Sequence, residues 1–180
     1  MKISRRIRKR TNGVREVSFE HAGEEIFDIL FRRILEYNHI NYIPNFRGID
    51  YLISRELIFV ELEDTVHEIY NATYQMLRNI IPIAQLYYAP IVIAIPRPEL
   101  PELLLSPLAY FFRKTSGFNV RRELWIVLSE RKLIKIIESK VTPSEILNSI
   151  SRIIEIKLDK QGKLTEKFAK RLINELRKYT

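Results

Sequence analysis

Three acidic residues interrupt a stretch that otherwise has the composition of two buried β-strands. The stretch "FRGIDYLISRELIFVELED" contains Asp50, Glu61 and Glu63. Because side chains alternate faces along a strand, Glu61 and Glu63 are expected to point the same way. If Ser54 and Arg55 form a tight hairpin turn, Asp50 lies on the strand next to that of Glu61 and Glu63, close to both glutamates.

Carboxylates gathered this closely repel one another unless protons or a cation neutralise them. Oxygen ligands of this kind suit Mg²⁺ or Mn²⁺, so the sequence predicts part of a metal site at Asp50, Glu61 and Glu63. The alternative is the polar face of an amphipathic hairpin, since alternation alone places a polar residue at every second position. Glu63 would then be a solvated acid before a helix.

The pattern around these acids is that of an α/β fold. Apolar residues recur at helical spacing from Ser18 to about Asn38, and again from Thr65 to about Tyr88, where Pro82 is expected to kink or end the helix. The segments "INYIP", "GIDYLIS" and "ELIFVELE" are typical of short strands. The continuous apolar runs "APIVIAIP" and "ELWIVLS" indicate strands covered on both faces, the first at the centre of the sheet, with "LAYFFRKTSGF" in a crossover helix between them.

The C-terminal part is expected to be mainly helical. "KLIKIIES" fits an edge strand or a helix, "TPSE" at Thr142 to Glu145 predicts a helix start, and an amphipathic pattern spans about Leu164 to Tyr179. We therefore predict a mixed central sheet flanked by helices, with extra C-terminal helices. The expected division is a flexible basic arm over residues 1–17, an α/β core over 18–140 and a C-terminal helical extension over 141–180.

The net charge of +8 is concentrated before Glu16. A flexible basic arm gains affinity for phosphate backbones by counterion release, which predicts contact with nucleic acid; the alternative is a solvated terminus that keeps the protein soluble. The basic residues of the arm are Lys2, Arg5, Arg6, Arg8, Lys9, Arg10 and Arg15.

Composition excludes several other classes of function. The 180 residues contain no cysteine, so disulfides, thiolate zinc sites and cysteine nucleophiles are excluded.

The charge-free segment from Asn79 to Pro96 contains prolines, which favours a helix followed by a buried strand over a membrane span. No signal peptide is visible, so a cytoplasmic location is expected. Few glycines together with much isoleucine, lysine, arginine and glutamate indicate adaptation to heat.

The acids and the order of elements around them resemble the PD-(D/E)XK nuclease superfamily, which includes archaeal Holliday junction resolvases and many restriction enzymes. Its core motif is an aspartate on one strand followed by (D/E)-x-K on the next. Here Asp50 takes the aspartate position, Glu61 the (D/E) position, and Glu63 stands where lysine is usual. Some restriction enzymes of the superfamily use E-x-E, in which the second glutamate binds metal or acts as a base.

The resemblance covers about Glu20 to Leu128 and implies a restriction-endonuclease-like fold with Mg²⁺- or Mn²⁺-dependent cleavage of DNA. It implies catalytic roles for Asp50, Glu61 and Glu63, all three also metal ligands. It further implies a catalytic acid on the first helix, best matched by Asp28, and a glutamine that lines the site, matched by Gln75. Glu24, one turn before Asp28, would be a further metal ligand. The alternative is that Glu24, Asp28 and Gln75 are ordinary surface residues without a functional role. Arg47 and Arg55, near the acids in sequence, are candidates for holding the phosphate.

The expected partner is duplex or branched DNA, bound by a homodimer. The Tyr-rich segment Tyr70 to Tyr88, which otherwise reads as core, or the C-terminal helices would supply the interface. The source suggested by the resemblance and composition is a thermophilic archaeon or its virus. Two alternatives stay open: a nuclease-like binding module that lost turnover with its lysine, and an RNA-processing enzyme similar to tRNA-splicing endonucleases, whose general-base histidine has no clear counterpart here.

Overall fold

The computed structural model describes residues 22–129, 132–138 and 150–157, together with Asn174. The strands are β1 (Tyr42–Phe46), β2 (Ile49–Ile53), β3 (Ile58–Leu62), β4 (Pro90–Pro96), β5 (Arg121–Ser129), β6 (Lys132–Glu138) and β7 (Ile150–Lys157). The helices are α1 (Ala22–Tyr37), α2 (Ile69–Gln75), α3 (Ile81–Ala84) and α4 (Leu105–Thr115), with a π-helical turn at Met76–Ile80 and a 3₁₀ turn at Pro101–Leu104.

Across the described ranges the strands form one seven-stranded sheet, in the order in which they occur along the chain. β3, β4 and β5 run parallel to one another, and every other pair of neighbours is antiparallel. The prediction of an α/β fold with a mixed sheet flanked by helices is confirmed. The segment "APIVIAIP" forms β4, which is the central strand as predicted.

Helices cover both faces of the sheet. On one face, Ile91, Ile93 and Ile95 of β4 pack with residues of α2, α3 and α4; on the other, Val92 and Ala94 pack with residues of α1. Because successive side chains of a strand alternate, β4 must be apolar throughout to be buried on both sides. Right-handed crossovers that advance in one direction across a sheet place their helices on one face, which is where α2 to α4 lie.

The helical segment after β3 is interrupted in front of a proline, as predicted. It begins at Ile69 rather than Thr65 and changes to a π-helical turn at Met76–Ile80, immediately before α3. Pro82 has no N–H to donate and its ring crowds the carbonyl four residues earlier. It is accommodated in the first turn of α3, where that N–H is not needed.

Two turns set the register of the first three strands. Arg47 and Gly48 form a two-residue turn between the paired residues Phe46 and Ile49, and both have positive φ, 52° and 83°. This is the geometry of the tight hairpin turn that suits the twist of a sheet, although Arg is an unusual residue for it. The hairpin predicted between β2 and β3 is present, but its turn spans residues 54–57 rather than two residues alone.

The C-terminal prediction needs one correction. The expectation of helices over 141–180 is wrong for Ile150–Lys157, which forms β7 and pairs with β6. β6 is therefore an interior strand, not an edge, and the sheet extends beyond the predicted end of the core at residue 140. The segment "ISRIIEIK" is rich in β-branched isoleucine, which favours a strand. The predicted cap at residues 142–145 lies outside the described residues, as does the last helix apart from Asn174, which is helical.

The apolar segment considered above as a membrane span is divided between α3 and β4. Within the described ranges, no helix has the length and apolar character needed to cross a membrane.

Candidate active site

Asp50 and Glu61 occupy facing positions on β2 and β3. The register that pairs Tyr51 with Val60 puts Asp50 opposite Glu61. The backbone N–H of Asp50 donates to Glu61 Oε2 at 3.2 Å, and the backbone N–H of Leu62 donates to Asp50 Oδ2 at 2.7 Å. Each carboxylate therefore reaches across to the other strand, and the structure brings these two predicted site residues together.

The pair lies at the carboxyl end of the parallel strands. Glu61 is opposite Ile93 in the second half of β4 and is buried, with 5% of its surface exposed. Because Val60 packs against α1, alternation turns Glu61 toward the face covered by α2 to α4, whereas Asp50, at the start of β2, lines a cavity together with residues of α1. Burial of like charges side by side is costly unless their charge is balanced.

Glu63 follows β3 directly and continues its ladder with β4. Its backbone N–H donates to the carbonyl of Ala94 at 2.9 Å, so the extended geometry persists one residue beyond Leu62. Because Glu63 follows Glu61 by two residues, and side chains alternate along a strand, both glutamates point to the same side. The side chain of Glu63 is half-buried.

Among the described residues, no group of three or more carboxylate or histidine side chains is assembled closely enough to hold a metal ion. The side chain of Glu24, one of the predicted ligands, lies outside the described part. Mg²⁺ is commonly held by one or two carboxylates, with waters and substrate phosphates completing its shell. The oxygen donors of Asp50 and Glu61 fit that mode of binding rather than a closed protein cage.

Asp28 lies on the opposite face of the sheet, where its carboxylate is engaged by two neighbours. Its Oδ1 accepts a short hydrogen bond from the Tyr51 hydroxyl, and its Oδ2 accepts from Arg32 Nη2 at 2.8 Å. Arg32 Nε in turn donates to the Tyr51 oxygen at 3.4 Å, which closes a three-membered ring of contacts. The structure therefore places Asp28 in contact with Arg32 and Tyr51.

The ring changes the protonation behaviour of its members. Burial, and then the hydrogen bond to Asp28, raise the pKa of Tyr51, so the phenol keeps its proton and remains a donor. The hydrogen bond to Tyr51 raises the pKa of Arg32. The ring thus consists of a neutral donor, a cation and a carboxylate.

The ring of Asp28, Arg32 and Tyr51 and one of the two facing acids, Asp50, line the same pocket. A cavity of about 290 Å³ opens between the start of α1 and the turn of β1 and β2. Its lining includes Glu25, Asp28 and Arg32 of α1 together with Asp50 and Tyr51 of β2. Glu25, Arg32 and Tyr51 were not among the predicted site residues. The spacing of Asp28 and Arg32, four apart on a helix, was the signal that could have found Arg32.

Gln75, another of the predicted site residues, does not line this pocket. Gln75 is the last residue of α2 and is half-buried, and α2 covers the face of the sheet toward which Glu61 points. Asn79, in the π-helical turn, approaches the hairpin: its Nδ2 would lie 3.3 Å from a Cβ added at Gly48. Such π-helical turns are frequent at functional sites.

The predicted phosphate-binding arginines lie at two different ends of the strands. Arg47 is exposed in the turn just before β2, close in sequence to Asp50. Arg55 is exposed in the turn between β2 and β3, at the opposite end of both strands. Only Arg47 therefore lies at the end of the hairpin that carries Asp50. The residues of the basic arm lie outside the described ranges.

Comparison of the chain with protein-family models, with curated proteins and with solved structures gives no match. Any functional conclusion therefore depends on the residues and geometry described above.

Proposed function

We propose that this chain is a metal-dependent DNA endonuclease that hydrolyses phosphodiester bonds in duplex or branched DNA. The observation that carries the proposal is the position of Asp50 directly opposite Glu61 on β2 and β3, with hydrogen bonds that interlock the two residues. Carboxylates from adjacent strands, at the carboxyl end of parallel β3 and β4, are suited to binding a divalent cation.

The order of the elements supports the same assignment. A helix precedes three antiparallel strands, a helical segment follows, and β4 then adds parallel to β3. The aspartate lies on the second strand and the E-x-E sequence begins on the third, as the resemblance to the PD-(D/E)XK nucleases requires. We therefore assign the core to the restriction-endonuclease-like class, with β5 to β7 extending the sheet.

In this proposal Asp50 and Glu61 would hold Mg²⁺ or Mn²⁺, and the cation would supply Lewis-acid chemistry at the scissile phosphate. Glu63 acts as the base that accepts a proton from the attacking water, because it lies on the same side of β3 as Glu61. Arg47, at the tip of the first hairpin, contacts a neighbouring phosphate. Its positive φ of 52° is strained for a residue with a side chain, and such strain is often retained at functional sites.

DNA is the proposed partner because the seven basic residues before Glu16 carry most of the net charge. A homodimer is proposed for cutting both strands. The alternative that the tyrosines between Tyr70 and Tyr88 form core does not hold for Tyr74 and Tyr87, which are 63% and 65% exposed, and Leu86 beside them is 73% exposed. These side chains are available for an interface between copies.

The test is incubation of the purified chain with duplex, single-stranded and four-way-junction DNA, in Mg²⁺, in Mn²⁺ and in chelator. We expect cleavage that requires the metal and that falls by about a hundredfold or more in Asp50→Asn and in Glu61→Gln, since each removes a charge on which the reacting centre depends. Glu56→Gln, in the exposed β2–β3 turn, is the matched control and should cleave like the wild type.

The second candidate is a nuclease-like module that binds nucleic acid without turnover. The glutamate at position 63, where the resemblance would place a lysine, favours it. DNA binding that persists in the wild type without any metal-dependent product would establish this candidate and exclude the enzyme.

A further inference from the structure

Arg32 and the buried Arg122 differ in how many of their N–H groups donate hydrogen bonds within the protein. Arg122 makes five hydrogen bonds, from Nε and from both terminal nitrogens, to the side chains of Thr115 and Glu138 and to three backbone carbonyls. The hydrogen bonds of Arg32 within the described part of the chain come from Nε and Nη2 only. Arg32 is also about half exposed, with 48% of its side-chain surface accessible.

The planar geometry of a guanidinium shows which N–H groups of Arg32 are already engaged and which face elsewhere. The N–H groups of Nε and Nη2 form a side-on pair, and Tyr51 and Asp28 engage that pair. The end-on pair, formed by Nη1 and the second N–H of Nη2, points away from the ring. Two parallel N–H groups of this kind match two oxygens of a phosphate.

The pocket supplies the place where such a phosphate would lie. Arg32 lines the same cavity as Asp50, and its volume of about 290 Å³ is ample for a phosphate with part of its sugar. Among the charged side chains that line this cavity, Arg32 is positive, whereas Glu25, Asp28 and Asp50 are negative. An anion at this wall therefore depends on Arg32 for its counter-charge.

We infer that Arg32 binds a phosphate of the nucleic-acid substrate through its end-on pair of N–H groups, and that Asp28 and Tyr51 are positioning residues that hold its guanidinium. The phosphate would flank the one cleaved at Asp50 and Glu61, so this inference rests on the proposed function. It gives Asp28 a different role from the catalytic acid that the resemblance implies. The phosphate takes the end-on pair of N–H groups, while Asp28 and Tyr51 hold the side-on pair.

The test is the dissociation constant of a fluorescein-labelled DNA duplex, measured by fluorescence anisotropy in chelator so that no turnover is needed. Arg32→Ala should raise the dissociation constant by about tenfold, because a charge-assisted pair of hydrogen bonds is lost. Arg32→Lys should bind nearly as weakly, because lysine keeps the charge but not the paired donors. Arg33→Ala removes the same charge at the next position of α1 and should change binding by no more than about twofold.

A double-variant cycle tests the positioning role. Asp28→Asn and Tyr51→Phe should each weaken binding by about threefold, and neither should weaken it further when Arg32 is already alanine, because both act through Arg32. A merely structural contribution would persist in the Arg32→Ala background. Circular dichroism of each variant shows whether it is folded.

Three results would overturn the inference: equal dissociation constants for Arg32→Ala and Arg33→Ala, wild-type affinity in Arg32→Lys, or a full effect of Asp28→Asn added to Arg32→Ala. The proposed endonuclease activity is judged separately. If the wild type cuts no DNA but the Arg32 effect is present, the pocket is a phosphate site on a protein that only binds. If the wild type cuts DNA but Arg32→Ala binds like Arg33→Ala, only the role of Arg32 is rejected.

Discussion

Arg122 and Glu61 are buried charged residues at opposite ends of the parallel strands. Arg122 lies at the amino end, beside Ile91 at the start of β4. It is 4% exposed and forms an ion pair with Glu138 at 2.7 Å, while its other N–H groups donate to Thr115 and to carbonyls at the end of α4. Opposite charges and complete hydrogen bonding make this region a clamp between α4, β5 and β6.

At the carboxyl end, the residue facing Glu61 has the same charge. Asp50 and Glu61 are joined through backbone N–H groups, which favour the ionised carboxylates but do not remove their mutual repulsion. A buried pair of opposite charges stabilises the fold, whereas two carboxylates that face each other repel and, other things equal, destabilise it. The comparison indicates that the amino end of the sheet is built for stability and the carboxyl end for binding a cation.

The largest expected effect is at the clamp. Arg122→Met removes the buried guanidinium that pairs with Glu138, so the free energy of unfolding should fall by about 3–5 kcal/mol. Arg121→Met, at the exposed neighbouring position, should change it by less than about 0.5 kcal/mol. Urea denaturation measures both. Equal effects at the two arginines would mean that the ion pair contributes nothing particular to the fold.

A smaller effect is expected where the first hairpin turns. Gly48 has φ of 83°, and a Cβ there would lie 3.3 Å from Asn79 Nδ2. Gly48→Ala should therefore lower the free energy of unfolding by about 1–2 kcal/mol, mainly because of the backbone conformation. Gly117→Ala is the matched control, since a Cβ there meets no atom within 4 Å. Because this turn fixes the strand that carries Asp50, Gly48→Ala should also reduce DNA cleavage; full activity would separate the turn from the site.

The like-charged pair should respond in the opposite sense to the clamp. Glu61→Gln keeps an oxygen that can accept from the Asp50 N–H but removes one of the two facing charges. We expect the free energy of unfolding to stay unchanged or to rise by up to about 1 kcal/mol. Urea denaturation of this variant beside Glu56→Gln checks the expectation. A loss of more than about 2 kcal/mol would show that Glu61 is held by the fold as firmly as Glu138, and would erase the contrast between the two ends.

Most of the sheet could be read from the sequence because its strands have distinctive local patterns. The apolar runs of β4 and β5 require burial on both faces, and the alternation in "VELE" was enough to place Glu61 and Glu63 on one side of β3. β7 was missed because the isoleucine-rich "ISRIIEIK" follows a strong helix-start signal, and the sequence does not show which strand it would pair with. Pro82 predicts an interruption of the helix, but not that it takes the form of a π-helical turn at Met76–Ile80.

Only the part of the candidate site that depends on local structure could be predicted from the sequence. Asp50 and Glu61 could be matched because the hairpin between them is local. Tyr51 reads as a core residue, and its ring is indeed buried, but its hydroxyl contacts Asp28, 23 residues earlier in the chain. Only the tertiary packing of α1 on β2 creates that contact. The pairing of Asp28 with Arg32 was visible as helical spacing, but its use in orienting an arginine depends on Tyr51.

The effect expected at Tyr51 depends on pH, and it separates the ring of Asp28, Arg32 and Tyr51 from both charged pairs. Burial and the Asp28 carboxylate raise the pKa of Tyr51 above its ordinary 10.0. As pH rises above about 10, the unfolded chain loses this proton before the folded protein does, so the contribution of Tyr51 to stability is full below that pH and declines above it. Tyr51→Phe should therefore be less stable than the wild type by about 1 kcal/mol near neutral pH, and the difference should shrink as pH rises past 10. Urea denaturation of both proteins across this range, with Tyr87→Phe as the exposed control, checks the sign. A difference that grows with pH would mean that the folded protein favours the phenolate, which is incompatible with a Tyr51 hydroxyl that donates to Asp28 and thereby holds Arg32 in place.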